Sequence, residues 1–235
     1  MGPHVLACIL AATLTRQPHA AVSTEEAPRL AILDLGTNTF HLLLLELEAE
    51  GAGYRVLEKY KEYVKLGEGG IQSGVIGPEP YERGMAALRS FRFYIDAHGI
   101  TTVRAYATSA IRGAANGSTF VQQVEKETGI RIQVISGNEE AALIYQGVRM
   151  SIPFPEREQV LLCDIGGGSV EFVVGTRYLP RLLRSLDIGA ARLLEQHPLE
   201  DPPQPETLAA IQRHYTEALA PLLTEIQALG PQKLI

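Results

Sequence analysis

The chain has 235 residues, 46% of them hydrophobic and 20% charged, with 22 glycines and 14 prolines. This composition excludes a fibrous or disordered chain and predicts a globular one, of one large domain or two modest ones, with many tight turns. A formal net charge of −6 excludes a general nucleic-acid binder, and the two cysteines, Cys8 and Cys163, exclude a disulfide framework and fit a cytoplasmic setting.

Residues 5–14 form an apolar run, far shorter than the roughly 20 residues a spanning helix needs. No Lys or Arg precedes it, as a secretory signal would require. Residues 1–28 are therefore expected to be a flexible N-terminal extension, with no membrane association. From there the pattern turns regular. Residues 30–35 are an apolar run stopped by Gly36, the profile of a buried strand. Residues 40–48 predict a second strand and, after a turn at 50–53, residues 54–64 a third, an antiparallel meander. A helix is predicted over 78–98: Pro78 and Glu79 open it, Met85, Leu88, Phe91 and Ile95 recur at 3–4 spacing, and Gly99 follows its end. A strand at 102–107, a helix at 117–128, a strand at 132–135 and a helix at 138–150 follow. Pro153, Pro155 and the charged residues 156–158 read as a linker. A second meander, at 160–165, 170–176 and 182–186, precedes helices at 190–196 and 205–229.

The element order therefore repeats, and so do the residues. Asp34-Leu-Gly-Thr-Asn-Thr-Phe-His41 and Asp164-Ile-Gly-Gly-Gly-Ser-Val-Glu171 share Asp-x-Gly-x-x-Ser/Thr between two apolar strands. A repeat this long predicts two copies of one domain, at 29–156 and 157–235, the second ending where its next strand would start.

An aspartate at a strand end before a glycine turn suits a phosphate or metal–phosphate site, since successive N–H groups form an anion-binding nest. Thr37, Thr39 and Ser169 add hydroxyl donors. If residues 166–169 are the hairpin turn, symmetry places Asp164 opposite Glu171. Two facing carboxylates repel unless a cation is near, and hard oxygens with phosphates favour Mg²⁺. An isolated turn of this kind reads equally well as an ordinary hairpin with exposed acids.

At residues 136–140, Ser-Gly-Asn-Glu-Glu opens a helix after a strand. Its acids read either as a first-turn charge preference or, at Glu140, as a base toward water in a cleft. Residues 108–112, Thr-Ser-Ala-Ile-Arg, put hydroxyls and a guanidinium after another strand, a pattern that suits an anion and also an ordinary surface arginine. His41 reads as a packed histidine and Cys163 as a buried small hydrophobe. Residues 65–70 resemble a glycine phosphate loop without the GK[ST] ending and read as a turn near the cleft.

The Asp34 and Asp164 motifs, together with Ala-Thr-Ser-Ala-Ile-Arg at 107–112 and Ile-Ser-Gly-Asn-Glu-Glu-Ala at 135–141, resemble the exopolyphosphatase/guanosine pentaphosphate phosphohydrolase (Ppx/GppA) family of the actin–Hsp70–sugar kinase superfamily. The similarity runs over about residues 29–235, with the four motifs in the family's order. It implies an α/β fold of duplicated ribonuclease-H-like domains, each a mixed sheet flanked by helices, with the second shortened. It also implies Mg²⁺-dependent removal of a terminal phosphate from inorganic polyphosphate or guanosine pentaphosphate in the interdomain cleft. In that resemblance Glu140 looks like the catalytic base. Asp34, Asp164 and Glu171 look like the metal-organising acids. Thr37, Asn38, Thr39, Ser109, Arg112, Gly166, Gly167, Gly168 and Ser169 look like the phosphate-binding groups. Val170 departs from the family's frequent threonine and removes one hydroxyl. The family also allows a homodimer. Alternative readings are a non-catalytic phosphate or alarmone sensor, a fragment, or an ATP-dependent phosphotransferase of the same superfamily.

Overall fold

The computed structural model describes residues 27–48, 53–154 and 158–235. The predicted extension, except residues 27 and 28, and most of the turn at 50–53 and of the linker at 156–158 lie outside them. Among the described residues, strands β1 (Arg29–Leu35), β2 (Phe40–Leu47), β3 (Tyr54–Glu62), β4 (Thr102–Ala107) and β5 (Ile132–Val134) form one sheet, in the order β3-β2-β1-β4-β5. Strands β6 (Val160–Ile165), β7 (Val170–Gly175), β8 (Pro180–Leu186) and β9 (Lys233–Leu234) form a second, in the order β8-β7-β6-β9. In each sheet an antiparallel three-strand meander is extended by a parallel strand on the far side of its first strand, β4 beside β1 and β9 beside β6. This is the ribonuclease-H-like arrangement, present twice. The parallel pairing Val160↔Lys233 and Leu161↔Leu234 begins where the sequence places the next strand.

Helices α1 (Pro78–Ala97), α2 (Ser109–Arg112), α3 (Gly117–Thr128), α4 (Gly137–Ser151), α5 (Ala190–Gln196) and α6 (Pro205–Leu229) complete the described elements. The four-residue α2 is not predicted from sequence, since a single turn carries no apolar period. No helix among the described residues is long and apolar enough to cross a membrane.

Period-2 alternation divides the first sheet between two cores. On β1, Ala31, Leu33 and Leu35 face a core built with Met85, Leu88 and Phe91 of α1 and Phe120 of α3. Leu30 and Ile32 face the other way, into a core shared with Ala141, Ile144, Tyr145 and Val148 of α4. The same core takes Val160, Leu162 and Val173 of the second sheet, so α4 is the apolar insert between the two sheets. On the far face of the second sheet, Val170, Phe172 and Val174 pack on Leu222 and Ile226 of α6. Helix α4 starts abruptly, at a capping box: the Glu139 N–H donates to Ser136 Oγ at 3.2 Å, and the Ser136 N–H donates to Glu139 Oε2 at 2.8 Å.

Candidate active site

Strand parity carries the acids to one place. Asp34 continues the Leu30–Ile32 face of β1, Asp164 the Val160–Leu162 face of β6, and Glu171 the Val173 face of β7, all on the side covered by α4. Glu140 stands in the first turn of that helix. Asp164 does pair with Glu171 across the hairpin, as turn symmetry predicts, and Asp34 pairs with His41 in the first copy.

Three of these acids are nearly closed to solvent: Asp34 and Glu171 are 2% exposed and Glu140 6%. Burial pushes the Asp34 carboxyl up to about 7, with the charge of Asp164 adding to it. Burial likewise raises Glu140 to about 7, against the pull of Arg112, whose Nη1 donates to Glu140 Oε2 at 3.0 Å; Asp34 and Asp164 raise it further. Glu171 is raised to about 8 by burial and by Glu140, while hydrogen bonds from Ser185 (2.7 Å) and Ser169 hold it down. These are four acids within mutual electrostatic reach in a low-dielectric setting.

Glu171 therefore opposes folding at neutral pH. A carboxyl whose folded pKa lies above its unfolded one contributes stability below the unfolded value, and this is lost as pH rises through the folded value. Glu171→Gln, which can still accept from Ser185, is expected to stabilise the chain at about pH 8 by on the order of 1–2 kcal/mol and to have almost no effect near pH 4. Urea titrations at the two pH values measure this difference.

The glycine turns are built alike. The Gly36 N–H donates to the Thr39 carbonyl and the Gly166 N–H to the Ser169 carbonyl, at 3.1 and 3.0 Å. The remaining carbonyls point outward from each turn. Those of Asn38 and Thr37 accept from the Lys65 and Gly67 N–H groups, and those of Gly166 and Gly167 accept from Ala190, Ala191 and Arg192 at the start of α5. A trans peptide opposes its C=O and N–H. The amides of Asn38 and Thr39 therefore point away from residues 65–67, and those of Gly167 and Gly168 away from α5, as a nest for an anion requires.

The structure brings most of the predicted phosphate-binding residues together. A β-carbon on Gly168 would lie 2.5 Å from Ser109 Oγ and 2.6 Å from Thr37 Oγ1, and one on Gly167 would lie 2.8 Å from Asn38 Nδ2. Glycine is required at Gly168, where the Ser109 β-carbon would also lie 2.8 Å away and both neighbours are buried, whereas the exposed Asn38 side chain can yield at Gly167. Thr37, Ser109 and Ser169 are buried and Asn38 is exposed. Thr39 is drawn aside, its Oγ1 3.1 Å from Nε2 of His41. The half-buried His41 ring is pushed down to about 4, by burial first and then by Lys61, which agrees with a packed histidine. Arg112 shares Nη1 between Glu140 and the Ile135 carbonyl, each at 3.0 Å, so it positions the glutamate as well as offering its other donors to an anion. Cys163 is half-buried and its thiol is raised by burial, as an inert strand residue should be.

Sequence reasoning missed Ser185, Arg192, Gly189 and Glu195. Arg192 Nε donates to the Gly168 carbonyl at 3.0 Å, and Gly189 packs against the Gly167–Gly168 backbone. A cavity of about 160 Å³ opens between Thr37, Gly67, Ser109, Gly168 and Arg192, and it confirms that residues 65–70 lie at the cleft. A glycine before a helix following a meander is the one local signal for Gly189; the others leave none. Among the described residues no three His, Cys, Asp or Glu side chains form a ready metal cage.

Known proteins share this arrangement. An exopolyphosphatase from Cytophaga hutchinsonii is 35% identical and superposes with a TM-score of 0.84 over 88% of this chain and 65% of its own. A Ppx/GppA family member from Aquifex aeolicus is 29% identical, with a TM-score of 0.66 over 83% of this chain and 62% of its own. The chain thus spans slightly less than two thirds of the length of these structures. The Ppx/GppA phosphatase family matches residues 47–235, from the end of β2 to β9, a span that holds the second glycine turn but not the first, and the chain belongs to that family.

Proposed function

We propose that this chain carries the catalytic site of a cytoplasmic, Mg²⁺-dependent exopolyphosphatase that hydrolyses the terminal phosphoanhydride of inorganic polyphosphate. The observation that carries the reading is Glu140: a buried carboxylate with its pKa raised to about 7, held by Arg112 beside two amide-lined glycine turns. A base with a pKa near the working pH is well matched to activating water. In the reaction the water oxygen attacks the terminal phosphorus and its proton passes to Glu140. The bond from that phosphorus to the bridging oxygen breaks, and orthophosphate leaves a chain shorter by one unit. Thr37, Ser109 and Ser169 and the turn amides hold the terminal phosphate in line, and Arg112 fixes the rotamer of the base.

Asp34, Asp164 and Glu171 fit Mg²⁺ by their chemistry. They are hard oxygen donors, and the charge of Asp164 repels both Asp34 and Glu171, a repulsion that a shared cation relieves. When bound, the ion supplies charge neutralisation on the phosphate oxygens.

Orthophosphate release from long-chain polyphosphate and from guanosine pentaphosphate, with and without Mg²⁺, tests the reading and ranks the substrates. The pH profile carries a second test. The ionised Glu140 is the active form, so kcat/KM should rise with pH through about 7. Arg112 lowers the Glu140 pKa, so Arg112→Gln should move that acid limb to higher pH. An acid limb that stays in place in the variant would remove Arg112 from this role.

A further inference from the structure

The 66–76 loop follows the first meander and α5 follows the second, yet the two are joined directly. The Gln72 N–H donates to Glu195 Oε1 at 3.0 Å and the Ile71 N–H to Glu195 Oε2 at 3.3 Å. Two successive amides thus hold both oxygens of one carboxylate, a nest filled from within the molecule. The position of Glu195 is not explained by its own helix. It lies in the last turn of α5, where a negative charge opposes the helix dipole. None of the ion pairs among the described residues includes it.

The contact lies beside the catalytic turns. Residues of the same loop, Gly67, Gly70 and Ile71, line the cavity of about 160 Å³ with Ser109, Gly168 and Arg192. There the two turns touch: Gly168 is so near Thr37 and Ser109 that a single added carbon would lie 2.5–2.6 Å from their hydroxyls. At that spacing no phosphate fits between the Gly168 backbone and those two hydroxyls, so a terminal phosphate seated between the turns, rather than in the cavity beside them, needs the turns to part. The apolar core around α4 joins the sheets on one side of the turns. On the other side, the carboxylate of Glu195 bridges them.

We propose that Glu195 is the latch of the cleft: a positioning residue that closes the 66–76 loop onto α5 and so brings Thr37 and Ser109 against the second glycine turn. The effect on turnover rests on the exopolyphosphatase reading; the latch itself does not.

The test uses the full chain as wild type, Glu195→Gln, Glu195→Ala and, as a control, Glu200→Gln at an exposed glutamate in the next loop. Amide hydrogen exchange at Ile71 and Gln72, thermal melting, and kcat and KM on long-chain polyphosphate are measured. In Glu195→Ala, exchange at the two amides should quicken about tenfold, the effect of losing a charge-assisted hydrogen bond. Glu195→Gln should fall between, and Glu200→Gln should match wild type. Melting should hold, kcat should fall several-fold and KM should not rise, because entry becomes easier while closure over the bound chain becomes harder. Unchanged exchange at Ile71 and Gln72 in Glu195→Ala overturns the proposal. So does quickening spread evenly into β1 and β4 with a lower melting point, which marks a general structural role. If exchange responds as expected and no form of the chain, wild type included, releases phosphate, the latch stands and the exopolyphosphatase reading fails.

Discussion

Replacing Glu140 by glutamine is expected to lower kcat for phosphate release by about 10²–10⁴-fold, the usual contribution of a positioned general base. The substitution keeps the shape and leaves a carbonyl oxygen to accept from Arg112 Nη1, which lies 3.0 Å from the carboxylate. What is lost is the ability to take a proton from water. Folding should not suffer. The native carboxyl is raised by burial and by Asp34 and Asp164, so the neutral amide removes a repulsion rather than a support. Steady-state orthophosphate release, paired with a urea titration, measures both quantities. A well-folded variant within tenfold of wild type would refute the role of Glu140 as the base.

The second large effect is structural and falls on Gly189. Two glycines occupy N-cap positions with nearly the same backbone: Gly77 before α1 at φ −66°, ψ 161°, and Gly189 before α5 at φ −66°, ψ 159°. Any residue adopts those angles, so conformation does not distinguish the two sites. Their surroundings do. A β-carbon on Gly77 would meet only the Pro80 ring, Cδ at 3.6 Å and Cγ at 4.0 Å, ordinary contacts. One on Gly189 would lie 2.5 Å from the carbonyl carbon and oxygen of Gly167 and 2.5 Å from the carbonyl carbon of Gly168. Backbone cannot rotate aside as a side chain can. Relief therefore has to come from moving α5 off the turn, which disturbs the bonds from Ala190, Ala191 and Arg192 to the Gly166 and Gly167 carbonyls.

Gly189→Ala is accordingly expected to destabilise the chain by about 3 kcal/mol, the upper part of the usual overpacking range, and to lower activity by re-aiming the turn amides. Gly77→Ala should stay within about 0.5 kcal/mol of wild type. Equal losses for the two alanines would show that the approach of α5 to the second turn is not tight. The same comparison isolates the phosphate turn from general glycine effects, because both variants remove the same unfolded-state freedom.

Much of this architecture is legible in the amino-acid sequence. The bounds of β4, α3, β6, α5 and α6 follow the sequence expectation residue for residue, since glycine, proline and apolar runs mark their ends. The third strand stops at Glu62, two residues early, and α4 starts one residue sooner than expected, at its capping box. Asp164 opposite Glu171 was also readable, because a tight hairpin has one symmetric register. Even the common face of Asp34, Asp164 and Glu171 is latent in the parity of the apolar residues on their strands.

What the sequence alone determined, then, is whatever depends on neighbours along the chain: element types and limits, the duplicated Asp-x-Gly turns, and which acids share a strand face. The tertiary structure decided how those pieces meet. It set α4 between the sheets, brought Arg112 to Glu140 across 28 residues, placed Ser185 on Glu171, and joined Glu195 to Ile71 and Gln72 across 124 and 123 residues. Such contacts leave no local period or spacing. They arise where two separately patterned sheets bury their apolar faces on one helix, and the polar groups at the rim must then find partners in whatever that packing brings near.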